Sequence, residues 1–224
     1  MSALGSTLGS ALGFLQLLHL ADSALPVGAA AHSFGLEGLV VENGLEVAGL
    51  FSFFQSYLEE AGRLEAVFVY AGYDVASAAE WQRLNEQLSA MKPSRETREA
   101  SLRLGKRLGA LAVHALAVPC RYPASPAHLP LLFGHVGSCL GSARDEVVAA
   151  YLHQSLSGLV SACQRLLPLG QSDAASLLWR LKPVMLQTLA AAQQIAVEDV
   201  WLSQPLLDLA SSRHPDLHTR LFIS

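Results

Sequence analysis

Three places in the sequence put titratable side chains at spacings that chemistry can use. In the stretch DSALPVGAAAHSFGLE, from Asp22 to Glu37, His32 and Glu37 lie five residues apart and could serve as a general acid–base pair beside a nucleophile. His135 and Cys139 lie four apart on a segment expected to be helical, so their side chains share one face, as metal ligands would. His214 and His218 repeat that spacing near the C-terminus, with Pro215 between them.

None of the three completes a site. No nucleophile is placed beside His32 and Glu37. Two ligands do not close a zinc site, which takes four, or three and a water in a catalytic centre. Core packing is the expected role of His135 and Cys139, while transient metal contact by His214 and His218 stays open. Gly105-Lys106 lacks the earlier glycine and the following Ser/Thr of a phosphate-binding loop, and no G-x-G-x-x-G occurs. GSCLG at 137–141 carries its serine one residue early for a nucleophile elbow. Nucleotide hydrolysis and the common hydrolase route are thereby excluded. The chain is expected to be no enzyme, with no catalytic residue, resident metal or cofactor. The one enzymatic alternative is a helical enzyme using His32 and Glu37.

The elements that would carry these residues follow a 3.6-residue period almost throughout, so the expected fold is all-α, a single-domain helical bundle of about eight to ten helices. A first helix is expected over 10–21, ending before Leu25-Pro26. A second runs from Gly28 or Ala29 to Val41 and stops at Asn43-Gly44. Two more cover 46–60 and 63–90. Ser94 is placed to cap the next, which continues to about Val118 with Leu104, Leu108, Leu111 and Ala115 on one face. A loop punctuated by Pro119, Pro123, Pro126 and Pro130 precedes helices at 127–141 and 145–167. Ser172 or Asp173 can cap a last long helix reaching Glu198, with a kink expected at Pro183. A short turn near Pro205–Ala210 leads into a tail. No internal repeat or domain linker is visible, so 1–224 reads as one domain with a flexible N-terminus (about 1–9) and a C-terminal tail (about 211–224).

Composition restricts the partners. Of 224 residues 51 % are hydrophobic and only 15 % charged, which calls for a broad core, a partner surface, or both. The net charge of −4 argues against nucleic acid, and residues 1–62 hold six acids without a single Lys or Arg. That absence also argues against a secretory signal in ALGFLQLLHLADSA, which would need a basic start. Val147 to Gln164 is long and free of Asp, Glu, Lys and Arg. Its Ser, Gln and His content fits a helix buried in the protein or against a second copy rather than a membrane span. Cys120, Cys139 and Cys163 are an odd, widely spaced set with no C-x-x-C, which argues against a disulfide framework and for a cytoplasmic location.

Four segments, in order, resemble the urease accessory protein F (UreF) family. They are LADSALPVGAAAHSFGLE at 20–37, SRETREAS at 94–101, LLPLGQSD at 166–173 with Arg165 before it, and LDLASSRHPDLHTRLFIS at 207–224. Ala29 and Ala30 stand where the family usually has glycine and an aromatic; Ser212 and Pro215 replace its usual methionine and glutamate. The resemblance implies a non-catalytic scaffold for maturation of nickel urease. It would be a homodimer that binds the accessory protein UreD (UreH in some organisms), recruits the GTPase UreG and helps deliver nickel to apo-urease. By the same resemblance, the C-terminal segment becomes ordered on the UreD-type partner, and Arg220 matches an arginine of that segment. The tail's own polar, aromatic-tipped sequence suits a segment that folds on binding, with Leu221 and Phe222 as anchors and Arg220 as a hydrogen-bonding fork. Arg213 and His214 are expected at the same partner-binding face. Pro26, Gly28, His32, Ser33, Glu37 and Arg165 form the expected dimer or packing motif. A metallochaperone binding nickel itself is the other alternative.

Overall fold

A computed structural model describes residues 3–120, 127–202, 205–216 and 220–223, with side chains from residue 11 onward except that of Ala30. Pro123, Pro126, His218 and Thr219 lie outside the described residues. Within them the chain is all-helical and has no strand, as its periodicity predicts. The α-helical segments are α1 (Ala3–Leu20), α2 (Leu36–Asn43), α3 (Leu50–Tyr57), α4 (Arg63–Asp74), α5 (Ala78–Met91), α6 (Arg95–His114), α7 (Leu129–Cys139), α8 (Arg144–Leu166), α9 (Gln171–Gln193) and α10 (Pro205–Arg213).

The centre of the bundle is α4. Its run Leu64, Ala66, Val67, Phe68, Val69, Tyr70 and Gly72 is buried. A helix apolar around its circumference needs neighbours on every side, and α4 packs on α7, α8 and α9. It meets α7 most closely at two glycines: a Cβ on Gly72 would strike the Leu131 carbonyl, and one on Gly134 the Val69 carbonyl. The two helices therefore touch backbone to backbone. Phe54, Phe68 and Phe133 fill the remaining core, and a single apolar cluster extends from Leu17 to Phe222.

Several boundaries differ from the sequence expectation, each for a local reason. The second helix does not begin at Gly28 or Ala29. The alanines make only a 3-10 turn, Ala29–Ala31, after which His32 is extended and Phe34 and Gly35 turn left-handed (φ 51° and 90°) before α2 begins. The expected break near 61–62 is also absent, because α3 runs into α4 through a π turn, Leu58–Gly62. The Leu58 carbonyl there accepts the Thr188 hydroxyl from α9 at 3.3 Å. The real break lies at 75–77, where Ser77 and Glu80 form a reciprocal cap. The Glu80 N–H donates to Ser77 Oγ (3.2 Å) and the Ala76 N–H to Glu80 Oε2 (3.0 Å).

Ser94 caps α6 as expected, accepting the Thr97 N–H at 3.4 Å, but the helix ends at His114 rather than Val118. Leu104 and Leu108 are buried, Leu111 is half-buried and Ala115 is exposed past the last turn; Ala112 continues the buried face instead. The N-cap of α9 is Gly170, not Ser172 or Asp173, and the helix passes through Pro183 and ends at Gln193. The stretch of α8 free of Asp, Glu, Lys and Arg buries Val147, Val148, Tyr151, Leu152, Leu156, Leu159 and Val160 within this one chain. Among the described residues no helix is long and apolar enough to cross a membrane.

His128, fully buried, ties the preceding loop to two helices. Its ring contacts Ser89 Oγ through Nε2 (2.8 Å) and Ser101 Oγ through Nδ1 (3.0 Å), and its N–H donates to Asn85 Oδ1 (3.0 Å). Burial, helped by Lys92 and Arg98, pushes its pKa down to about 3.

The α4–α7 contact yields a direct test. Gly134→Ala is expected to lower stability by about 2–3 kcal/mol, because one backbone must retreat. Gly158→Ala, on α8 with nothing within 4 Å of its Cβ, is expected to be neutral or to stabilise by about 0.5–1 kcal/mol. Urea unfolding midpoints of the two variants measure the contrast.

Candidate functional site

The residues singled out near the two ends of the sequence meet around one buried carboxylate. Gly35, left-handed at the N-cap of α2, turns the chain so that Glu37 falls in the first helical turn, where the helix dipole favours a negative charge. Glu37 is 2 % exposed. Its Oε2 lies 2.8 Å from Nε2 of His214, itself fully buried, and its Oε1 accepts the Leu221 N–H at 2.6 Å. A hydrogen bond between the two needs a proton on one side of it, at His214 Nε2 or at Glu37 Oε2. The ring's Nδ1 is buried with no hydrogen-bond partner among the described residues.

Further contacts hold the two ends together. α10 lies across α2 so closely that a Cβ on Gly35 would be 2.8 Å from the Leu207 carbonyl, and one on Gly38 2.9 Å from that of Ala210. Ser94 Oγ, at the start of α6, meets Ser211 Oγ at 3.1 Å. The Ile223 N–H donates to the Ala31 carbonyl (2.8 Å), and the Arg165 guanidinium stacks over the Phe222 ring at 4.0 Å. Leu221 and Ile223 are exposed while Phe222 between them, at a bend in the chain, is buried.

The sequence-predicted residues thus divide into groups. Glu37, His214, Arg165 and Phe222 join in the contacts of this junction; Ser33 is fully buried just before α2 and accepts the Leu36 N–H through its carbonyl. Arg213, Arg220 and Leu221 face outward, and the Leu221 backbone N–H is held by Glu37. Pro26 is exposed, and Gly28 is left-handed with the Arg107 guanidinium filling the space of a side chain. His32 is 4 % exposed and tilts against Phe34 at 5.8 Å; burial first, then Arg103 and Arg107, push its pKa down to about 4. It lines a partly open cavity of about 60 Å³, small beside the roughly 300–1,000 Å³ of ordinary ligand sites. Glu37 lends its oxygens to His214 and Leu221, not to that cavity.

His135 stacks edge-on against Trp81 (5.6 Å) and lies 3.7 Å from Cys139 Sγ. Among the described residues no three His, Cys, Asp or Glu side chains are grouped to hold a metal.

Sequence reasoning missed a second buried polar group. Glu65 bonds Lys92 Nζ through Oε1 (2.8 Å) and the Tyr151 hydroxyl through Oε2 (2.9 Å), with burial and this carboxylate raising the Tyr151 pKa. Its one signal was a lone acid in the apolar run LEAVFVYAGY. The Ser94–Ser211 contact, 117 residues apart, had none.

Beside the junction lies an open groove of about 770 Å³, floored by Leu39, Leu45 and Phe53, edged by Glu46 and Glu60, and walled by Pro205, Leu206 and Leu207 of α10. The Glu37 contacts that seat the tail therefore also help to set one wall of this groove.

Comparison with known proteins adds the context. The UreF family model matches residues 46–182, a span that leaves out Glu37 and the tail. Similar over nearly their whole lengths are three curated proteins, each named urease accessory protein UreF. That of Rhodopseudomonas palustris (strain BisA53) is 33 % identical, across 99 % of this chain and 97 % of its own. That of Paenarthrobacter aurescens (strain TC1) is 31 % identical, across 94 % and 97 %. The Geobacillus kaustophilus (strain HTA426) protein is 30 % identical, across 94 % and 97 %.

Replacing Glu37 by Ala is expected to cost about 2–4 kcal/mol, because it strands a buried imidazole and a backbone N–H. Glu37→Gln, which keeps an acceptor for Leu221, is expected to cost roughly half as much. Denaturant unfolding of both variants checks the order.

Proposed function

Because the chain belongs to the UreF family, we propose that it acts as a non-catalytic scaffold in the maturation of nickel urease. In this reading it works as a cytoplasmic homodimer, binds a UreD-type partner through the face built by its C-terminal segment, and recruits the GTPase UreG. Nickel is cargo handed on to apo-urease. The scaffold contributes position and differential affinity for one nucleotide state of the GTPase.

The observation that carries the reading is the family membership, joined to where the tail sits. Arg213, Arg220 and Leu221 turn their side chains outward, while Glu37 holds His214 and the Leu221 N–H and Arg165 covers Phe222. A partner would then meet an ordered ridge, with less entropy to lose than on a free tail. Uncovered apolar surface supports a chain that works in a complex. Leu12, Phe14, Leu15 and Leu18 of α1 are each more than half exposed, and the groove beside α10 is open.

The test is light scattering on a size-exclusion column. The full chain, co-expressed with its cognate UreD, is compared with a version ending at Thr219. A stable 2:2 complex, weakened at least tenfold by the truncation, is the expected result. A full-length chain that elutes as a monomer and ignores UreD would sink the proposal.

A further inference from the structure

We propose that Cys120 and Cys139 are a redox pair, closing reversibly to a disulfide that fastens the α6–α7 connection to the end of α7. The inference stands apart from the urease reading, since it uses only the geometry of this corner.

Cys139 is the last residue of α7, and its Sγ lies 3.7 Å from the Pro119 carbonyl, next to Cys120 in the chain. Cys139 stands close enough to Cys120 to help raise its thiol pKa, and both residues are partly exposed. His135 Nε2 stands 3.7 Å from Cys139 Sγ, one helical turn back. Two thiols and one imidazole would suggest a metal. Yet these three do not converge on one point, since among the described residues no three His, Cys, Asp or Glu side chains are grouped to hold a metal, and the pair is read for thiol–thiol chemistry. Cys163 is fully buried on α8 and serves as an internal control.

The oxidant is a low-molecular-weight disulfide. Cys139 gives its proton to His135 Nε2, and its sulfur attacks one sulfur of the small disulfide; that S–S bond breaks and one small thiol leaves. Cys120 then loses its proton to solvent and attacks the Cys139 sulfur of the mixed disulfide, and the second small thiol departs. Two protein thiols are oxidised and one small disulfide is reduced to two thiols. Cys139, with His135 Nε2 at 3.7 Å to take its proton, attacks first, and Cys120, whose thiol burial pushes up to about 11, resolves. Excess small thiol reverses both steps, so the pair stays reduced in a reducing compartment.

The experiment treats the full chain with oxidised glutathione and follows intact mass and a non-reducing peptide map. The wild type is expected to lose two hydrogens, to yield one peptide joining Cys120 to Cys139, and to keep Cys163 unmodified. Its thermal midpoint should rise by roughly 5–10 °C, as closure of such a loop does. Cys120→Ser is expected to stop at one glutathione on Cys139. Cys139→Ser is expected to react at Cys120 roughly tenfold more slowly or worse. Reduced midpoints equal to wild type show that both variants fold. Three results would overturn the pair: a wild type that halts with glutathione on Cys139, one that cross-links between chains, or one that holds zinc through both thiols and resists oxidation until chelated.

Discussion

A carboxylate taken out of water costs several kcal/mol unless its oxygens are fully engaged, and Glu37 meets that condition only when the C-terminal segment is in place. His214 and the Leu221 N–H, 177 and 184 residues further along the chain, supply its contacts. The local chain around Glu37 is shaped to let them reach it. Gly35 and Gly38 carry no Cβ, so α10 can lie directly against α2. The short extended link His32–Gly35 turns α2 into the path of the tail. A continuous helix from Gly28 would have pointed Glu37 elsewhere.

The junction connects to the rest of the bundle through few elements. Ser94, which caps α6, also touches Ser211; Arg165, at the end of α8, covers Phe222. These two contacts anchor the tail to helices that themselves pack on the α7 and α4 core. The core needs no such junction, because α4 is buried by ordinary apolar packing and by the glycine contacts with α7. The junction adds to the stability of the whole, but the α4–α7 packing does not depend on it, so the tail can be released while the core stays folded.

The helical character of the fold, the Ser94 cap and the long buried α8 were legible from periodicity and capping chemistry. Boundaries were misread where tertiary contacts overrule local preference. Alanines at 29–31 favour helix, yet the approach of α10 demands a left-handed Gly35. The expected break near 61–62 is absent because a π turn continues the helix. The true break at 75–77 had a readable signal, the S-A-A-E cap, outweighed by the apolar run on either side. At the site, the types of residue were legible but not their meeting. Sequence spacing paired His32 with Glu37 and His214 with His218, whereas the structure pairs Glu37 with His214. Contacts across nearly the whole chain leave no trace in local spacing.

The resemblance to the family leads one to expect a tail that orders on its partner, whereas the structure seats it on the protein's own Glu37. Amide hydrogen exchange of the isolated full-length chain decides between them, read at Leu221 and Ile223. Exchange slowed at least a hundredfold relative to an unstructured peptide, and released at both amides by Glu37→Ala while α7 stays protected, is the expected outcome. Unstructured exchange at both positions in the wild type would contradict the account, leaving the tail to be ordered by its partner alone.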